Sequence, residues 1–314
     1  MRFEFRTKIK FLLIALCLQI SLIQIQFSYA QEAAQEAEAK PKPKMGFMQM
    51  PVDPRVQMRS YLFEDTNEEI EYSLFVSSKV TKERKSPLIV TLHGLGAPAR
   101  IMFMGPTLDL AEEGGYILVG PMGYNVRGWY GIPATDFSKM KPKMAKPDGK
   151  AEPESKTAAK PKTSMFFNPN DPPNLRELSE KDVMNVLEMV RKEFNVDDRR
   201  IYLTGHSMGG AGTLHLGTKY PSIWAALAPV APAAFGLNPD SLEKIKDMPV
   251  LFVHGDQDEA VPVDVSRQWV EKAKELGMTY EYNEMPGVTH GPVITESQPS
   301  IYEFFGKHSK PAVQ

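Results

Sequence analysis

A serine at position 207 stands between two glycines in the run Gly205-His206-Ser207-Met208-Gly209. The residues before it, 200–204, read as a strand, and those after it, 208–220, as a helix. A serine carried on so abrupt a strand-to-helix turn is suited to nucleophilic attack. Both glycines are needed there, because side chains at 205 or 209 would meet neighbouring backbone while the serine itself is held in a strained conformation. The helix that starts at Met208 also aims its first N–H groups at the reacting centre.

Such a serine needs a base, and the chain has six histidines. His206 adjoins the serine, and its side chain is expected to point away. His215 lies eight residues along the helix, about 12 Å at 1.5 Å per residue, and reads as packing. His93 and His254 each open a His-Gly turn at a strand end, which reads as structural, and His308 follows the last helix. His290, in the small-residue loop PGVTHG at 286–291, is therefore the expected base. The acid that orients it is sought in HGDQDEAVP at 254–262, where Asp256, Asp258 and Glu259 all qualify and Asp258 is preferred.

The elements that must position these residues alternate. Strands are expected at 59–63, 70–76, 87–92, 116–119, 200–204, 224–229, 249–253 and 279–283. Helices are expected at 108–114, 179–195, 208–220, 264–276 and 300–305. The helix at 179–195 repeats Val183, Val186, Leu187, Val190 and Phe194 at spacings of three and four, with Ser179 and Asp182 as a capping start and Asn195 as a stop. Gly277 is expected to close the helix at 264–276. Repeated strand–helix units predict an α/β fold, a mainly parallel sheet covered on both faces.

Composition narrows the reading. With 37 Lys and Arg against 39 Asp and Glu, the net charge of −2 offers no basic excess for nucleic acid. One cysteine excludes a disulfide framework, and the acidic residues show no metal-ligand spacing, so neither cofactor nor metal is expected. Residues 1–30 read as a secretory signal peptide: basic Arg2, Arg6, Lys8 and Lys10, an apolar run at 11–25, then Ser28-Tyr29-Ala30. The apolar run is too short and too interrupted for a spanning helix, so no stable membrane insertion is expected after cleavage, and a secreted or periplasmic location follows. Residues 31–58 read as a flexible tether, 59–314 as the catalytic domain, and the Lys/Pro-rich stretch 139–162 as a mobile insertion within it. A basic loop for an acidic polymer is the functional alternative for that stretch. Nothing in the sequence sets an oligomeric state.

Three motifs together, LHGLG at 92–96, GHSMGG at 205–210 and HGDQDEAVP at 254–262, followed by THG at 289–291, resemble those of the α/β-hydrolases. The order Ser207, Asp258, His290 is also theirs. The resemblance runs from about Arg59 onward and is strongest to the secreted esterase branch that includes feruloyl esterases, polyhydroxybutyrate depolymerases and predicted peptidases related to prolyl oligopeptidase. It implies an α/β-hydrolase fold, Asp258 as the acid, and backbone N–H groups of Leu95 and Met208 as the oxyanion hole. The stretch NVDDRRIYLTGHSMGG with KYPSIWAALAP is similar to that branch, whereas 139–162 departs from it. The short segment 231–240 leaves no room for a large cap domain, which suits an exposed small-molecule or polymeric ester.

Trp129 and Tyr130 follow the strand at 116–119 and are candidates to stack on an aromatic or sugar group, with packing as the alternative. Gly94-Leu95-Gly96-Ala97-Pro98-Ala99 imitates a dinucleotide fingerprint, but Pro98 in the turn and Gly120-Pro121 in place of an acidic residue argue against it. The expected function is a secreted serine hydrolase acting on carboxylic esters. Its rivals are a serine peptidase of prolyl-oligopeptidase type and a non-catalytic binding protein on a hydrolase scaffold.

Overall fold

In the computed structural model, residues 51–133 and 168–312 are described. The expected signal peptide at 1–30, the tether up to residue 50 and the insertion at 139–162 lie outside them. Eight strands form one sheet: β1 (Gln57–Phe63), β2 (Glu68–Val76), β3 (Ser86–Leu92), β4 (Ile117–Pro121), β5 (Val196–His206), β6 (Ala226–Val230), β7 (Val250–Gly255) and β8 (Tyr280–Met285). Their order is β1-β2-β4-β3-β5-β6-β7-β8. The first two pair antiparallel with each other and β2 antiparallel with β4, and every later pairing is parallel. The sequence marks all eight.

Alternation along the central strands decides where the helices go. Leu88, Val90 and Leu92 of β3, with Ile201 and Leu203 of β5, point into one core. Ile89 and Tyr202, one residue out of step, point into another. The first face is covered by α2 (Leu175–Glu193), α3 (Met208–Lys219) and α4 (Asp264–Glu275), through residues such as Val186, Leu214 and Trp269. The second is covered by α1 (Thr107–Gly114), α5 (Val293–Glu296) and α6 (Gln298–Lys307), through Leu108, Ile294 and Ile301. Between β6 and β7 the chain makes only the 3-10 helix Pro239–Ile245, and no cap domain stands there.

Several boundaries differ from expectation. Helix α2 begins at Leu175, so Ser179 lies inside it and caps nothing. The Ser179 hydroxyl instead accepts the Tyr130 N–H at 3.0 Å. Asp182, expected beside it in the cap, is fully buried and accepts from the Tyr61 hydroxyl at 2.6 Å and the Tyr124 N–H at 3.1 Å. The expected tether also ends early. Gln57 and Met58 already belong to β1, and Arg55 pairs with Asp109 at 2.7 Å. Gly277, in left-handed conformation at φ 63°, follows α4 as expected.

The chain on either side of 134–167 is tied down. The Arg176 guanidinium donates to the carbonyls of Ile132 and Pro133. On the returning side, Asp171 is held by Arg127 in two bonds of 2.7 and 2.8 Å and by Asn125 at 3.0 Å.

Candidate active site

Strand β5 delivers the chain to Ser207, which takes φ 58° and ψ −114° between the strand and α3. For a non-glycine residue this is a strained backbone, and the surroundings hold it there. Ser207 N–H donates to Val230 at 2.9 Å, and its carbonyl accepts from Ala211 at 3.0 Å and Ala233 at 2.9 Å. A Cβ on Gly209 would overlap the Leu92 carbonyl, one on Gly205 the Gly209 carbonyl, and one on Gly210 would come within 2.7 Å of the Val230 oxygen. The turn is thus wedged between β3 and β6 with no space for a methyl group.

The His93-Gly94-Leu95 loop at the end of β3 arrives at the same place. A Cβ on Gly94 would stand 3.4 Å from the Ser207 Cβ. Gly96 N–H donates to Val126 at 2.9 Å and Ala97 N–H to Gly94 at 3.1 Å. The Leu95 N–H between them makes no backbone hydrogen bond among the described residues. Met208 is the first residue of α3, where N–H groups have no intrahelical acceptor. Two backbone donors, at Leu95 and Met208, therefore flank the serine and could bind a negatively charged oxygen.

His290 lies in the loop after β8. Its Nδ1 donates to Asp258 Oδ2 at 2.6 Å, and its side chain is 24% exposed while that of Asp258 is 0% exposed. Burial alone would raise the Asp258 pKa. Hydrogen bonds from His254, His290 and the Val261 N–H more than offset it and hold the carboxyl well below the usual range. An imidazole oriented in this way through Nδ1 keeps Nε2 for accepting a proton. The other acidic candidates are occupied elsewhere or turned away: Asp256 accepts the Gly287 N–H at 2.7 Å and shapes the turn before His290, and Glu259 is exposed.

Two histidines differ from their sequence reading. His206 does not simply point away from the site. Its ring lies 4.4 Å from that of His290, and its Nε2 donates to the His290 carbonyl at 2.8 Å. Burial, with the nearby His290 ring, brings its pKa down to about 3, so it stands neutral. His254 is structural in being fully buried, but it also reaches the site, with Nε2 3.3 Å from Asp258 Oδ2. Its spacing of four before Asp258 across a His-Gly turn is the signal that could have revealed this. His93 is fully buried between the Gly94 and Met122 carbonyls, each 2.8 Å from a ring nitrogen. His215 packs as expected, with Glu180 3.7 Å away.

For Trp129 and Tyr130 the burial corrects the stacking reading in favour of its alternative, packing. Tyr130 is fully buried and its hydroxyl donates to the His93 carbonyl at 2.9 Å, while Trp129 is only 8% exposed. Both belong to the core under α2 and α3, and Tyr130 supports the loop that carries Leu95.

The model of the phospholipase/carboxylesterase family matches residues 121–309. Cutinase 1 of Thermobifida cellulosilytica is 32% identical over 95 residues, 30% of this chain and 34% of that protein. Feruloyl esterase B of Neurospora crassa is 26% identical over 158 residues, 48% of this chain and 41% of that protein. The chain thus spans well under half the length of either curated relative. A solved structure of a thermostable esterase superposes with a TM-score of 0.57 at 26% identity, over 82% of this chain and 64% of that one. An eight-stranded sheet of this order, with its serine turn at the end of β5 and the family match across most of the described chain beyond β4, makes this protein a member of the phospholipase/carboxylesterase family of α/β-hydrolases.

Proposed function

We propose that this chain is a secreted serine hydrolase that cleaves carboxylic esters through Ser207, His290 and Asp258. The observation that carries the reading is the 2.6 Å hydrogen bond from His290 to the buried Asp258 carboxylate, beside a serine in strained backbone conformation. Ser207 Oγ attacks the ester carbonyl carbon as His290 Nε2 takes its proton, and the Leu95 and Met208 N–H groups receive the oxyanion. Collapse breaks the bond to the alcohol oxygen, which leaves with the proton from His290. Water then repeats the sequence on the acyl-enzyme and releases the acid. Asp258 stays ionised throughout and steadies the imidazolium.

The short connection between β6 and β7 favours an ester presented on an open surface. The relatives' names, cutinase and feruloyl esterase, make cutin-like polyesters and feruloyl esters the first substrates to try. The secreted location rests on residues 1–30, and among the described residues no helix is long and apolar enough to cross a membrane. The test is the intact mass of the protein after a fluorophosphonate, beside Ser207→Ala. One adduct on the wild type and none on the variant is expected, with hydrolysis of 4-nitrophenyl esters lost in the variant. An unlabelled, folded wild type would sink the reading.

A further inference from the structure

Asp258 sits between two imidazoles. On one oxygen, Oδ1, it accepts the N–H groups of Ala260 at 2.9 Å and Val261 at 2.8 Å. On the other, Oδ2, it meets His290 Nδ1 at 2.6 Å and His254 Nε2 at 3.3 Å. The hydrolytic scheme uses His290 and leaves His254 without a task. Yet His254 is 0% exposed at the end of β7, and its ring is satisfied on both sides.

The partners of His254 settle which nitrogen carries its proton. Nε2 lies 2.9 Å from the Val261 carbonyl, and a carbonyl oxygen can only accept, so the proton is on Nε2. Nδ1, on the other side of the ring, meets the fully buried Ser266 hydroxyl of α4 at 2.7 Å. The Nε2–H that results is shared between the Val261 carbonyl and Asp258 Oδ2. A hydroxyl, an imidazole, a carboxylate and a second imidazole therefore stand in one hydrogen-bonded row: Ser266, His254, Asp258, His290. The Val261 contact alone would serve to tie the turn. The approach to Oδ2 is additional, and it falls on the oxygen that receives His290.

We propose that His254, its Nε2 proton set by the Val261 carbonyl and its ring anchored by the Ser266 hydroxyl, is a positioning residue that holds the Asp258 carboxylate in the orientation in which it accepts the Nδ1 proton of His290. This rests on the hydrolase reading of Ser207, His290 and Asp258. The other titratable groups facing His254 are Glu284 on β8, which is already paired with Arg267 at 2.6 Å, and the imidazoles of His206 and His290. With one donor fewer, the carboxylate would hold the His290 proton more tightly but in a less well-defined geometry.

The test compares the full chain with His254→Gln, His254→Asn and Ser266→Ala. A Gln amide places an N–H near the former Nε2, whereas the shorter Asn amide reaches only the former Nδ1. Steady-state kinetics on 4-nitrophenyl acetate from pH 5 to 9 are read beside thermal unfolding and the rate of fluorophosphonate labelling. For His254→Asn, kcat is expected to fall about 10- to 100-fold with KM changed less than about twofold. The acid limb of kcat/KM is expected to move to higher pH. His254→Gln should recover kcat to within about threefold of wild type. Ser266→Ala, which removes only one oxygen, should lower kcat by about 3- to 10-fold with the same movement of the limb, and covers the case of an unfolded His254→Asn. Wild-type kcat and an unmoved acid limb in Ser266→Ala, or in a folded His254→Asn, overturn the proposal. Equal losses in Gln and Asn that track the melting temperature also overturn it, leaving His254 a purely structural role. A wild type that takes no label at Ser207 removes the hydrolase reading itself, an outcome distinct from a labelled wild type with unaffected variants.

Discussion

Ser207 and Asp258 occupy opposite extremes of what a polar side chain tolerates. The serine is strained in its backbone and left half-buried, while the carboxylate is removed from solvent and supplied with four donors. Asp258→Asn keeps the shape but can present an N–H to His290, which favours the wrong tautomer. A fall in kcat of roughly 10³- to 10⁴-fold is expected, with the folded state retained, as stopped-flow hydrolysis and circular dichroism would register. Ser207 and His290 were legible in the sequence because chemistry restricts the residue type and the motif restricts the turn. His206 was not, because what it touches depends on where the loop after β8 comes to rest, whereas the role of His254 was carried only by its spacing of four before Asp258. The same gap explains Trp129 and Tyr130. Their place after β4 was readable and packing was one of two readings, but the choice between them was not, because the helix starts four residues before its apparent cap.

At the scale of elements, close approach replaces side-chain chemistry as the controlling quantity. Helix α3 runs Met-Gly-Gly-Ala-Gly, and its glycines let it press on β3 and β6. Gly209→Ala would force the Leu92 backbone aside. It is expected to cost about 3 kcal/mol or more, toward the upper end for overpacked sites, seen as a lowered midpoint in urea unfolding. Tyr130 fastens the His93 carbonyl from beneath, so Tyr130→Phe leaves that buried acceptor unsatisfied. A loss of about 1–3 kcal/mol is expected, together with slower hydrolysis, because the loop bearing Leu95 loses its support. Equal stability of Tyr130→Phe and wild type would contradict the bond. Element order and strand membership followed from apolar runs and their period, so all eight strands could be placed. The ends of α2 and the short α5 depended on tertiary partners instead.

For the whole molecule, two buried groups oppose each other across the acidic range. His206 has its pKa brought down to about 3, so between pH 3 and 6.5 the unfolded chain binds a proton that the native chain does not, and stability rises with pH. Asp182 is pushed up to about 6 by burial, despite hydrogen bonds from Tyr61 and from the Tyr124 and Gly123 N–H groups. Between pH 3.8 and 6 the native chain there binds the extra proton, and stability falls with pH. The two slopes cancel over their common window. Asp182→Asn, whose amide can still donate to Tyr61 and accept from Tyr124, removes only the second. The unfolding free energy of that variant is therefore expected to climb more steeply than wild type, by about 1 kcal/mol per pH unit between pH 4.5 and 6. Chemical denaturation at three pH values measures it, and parallel wild-type and variant curves would refute it.

The ties on either side of residues 134–167 have a different kind of consequence. Arg176 grips the departing carbonyls of Ile132 and Pro133, and Arg127 with Asn125 grips the returning Asp171. Arg176 belongs to α2, while Arg127, Asn125 and Asp171 lie in the chain between β4 and α2. The two ends are thus fixed independently of the chain that joins them, and doubling the length between them is expected to cost only about 0.6 kcal/mol in closure entropy. In an engineer's terms the two fastenings make a socket: a position where a foreign module can be grafted while the ends that carry it stay tied to the described fold.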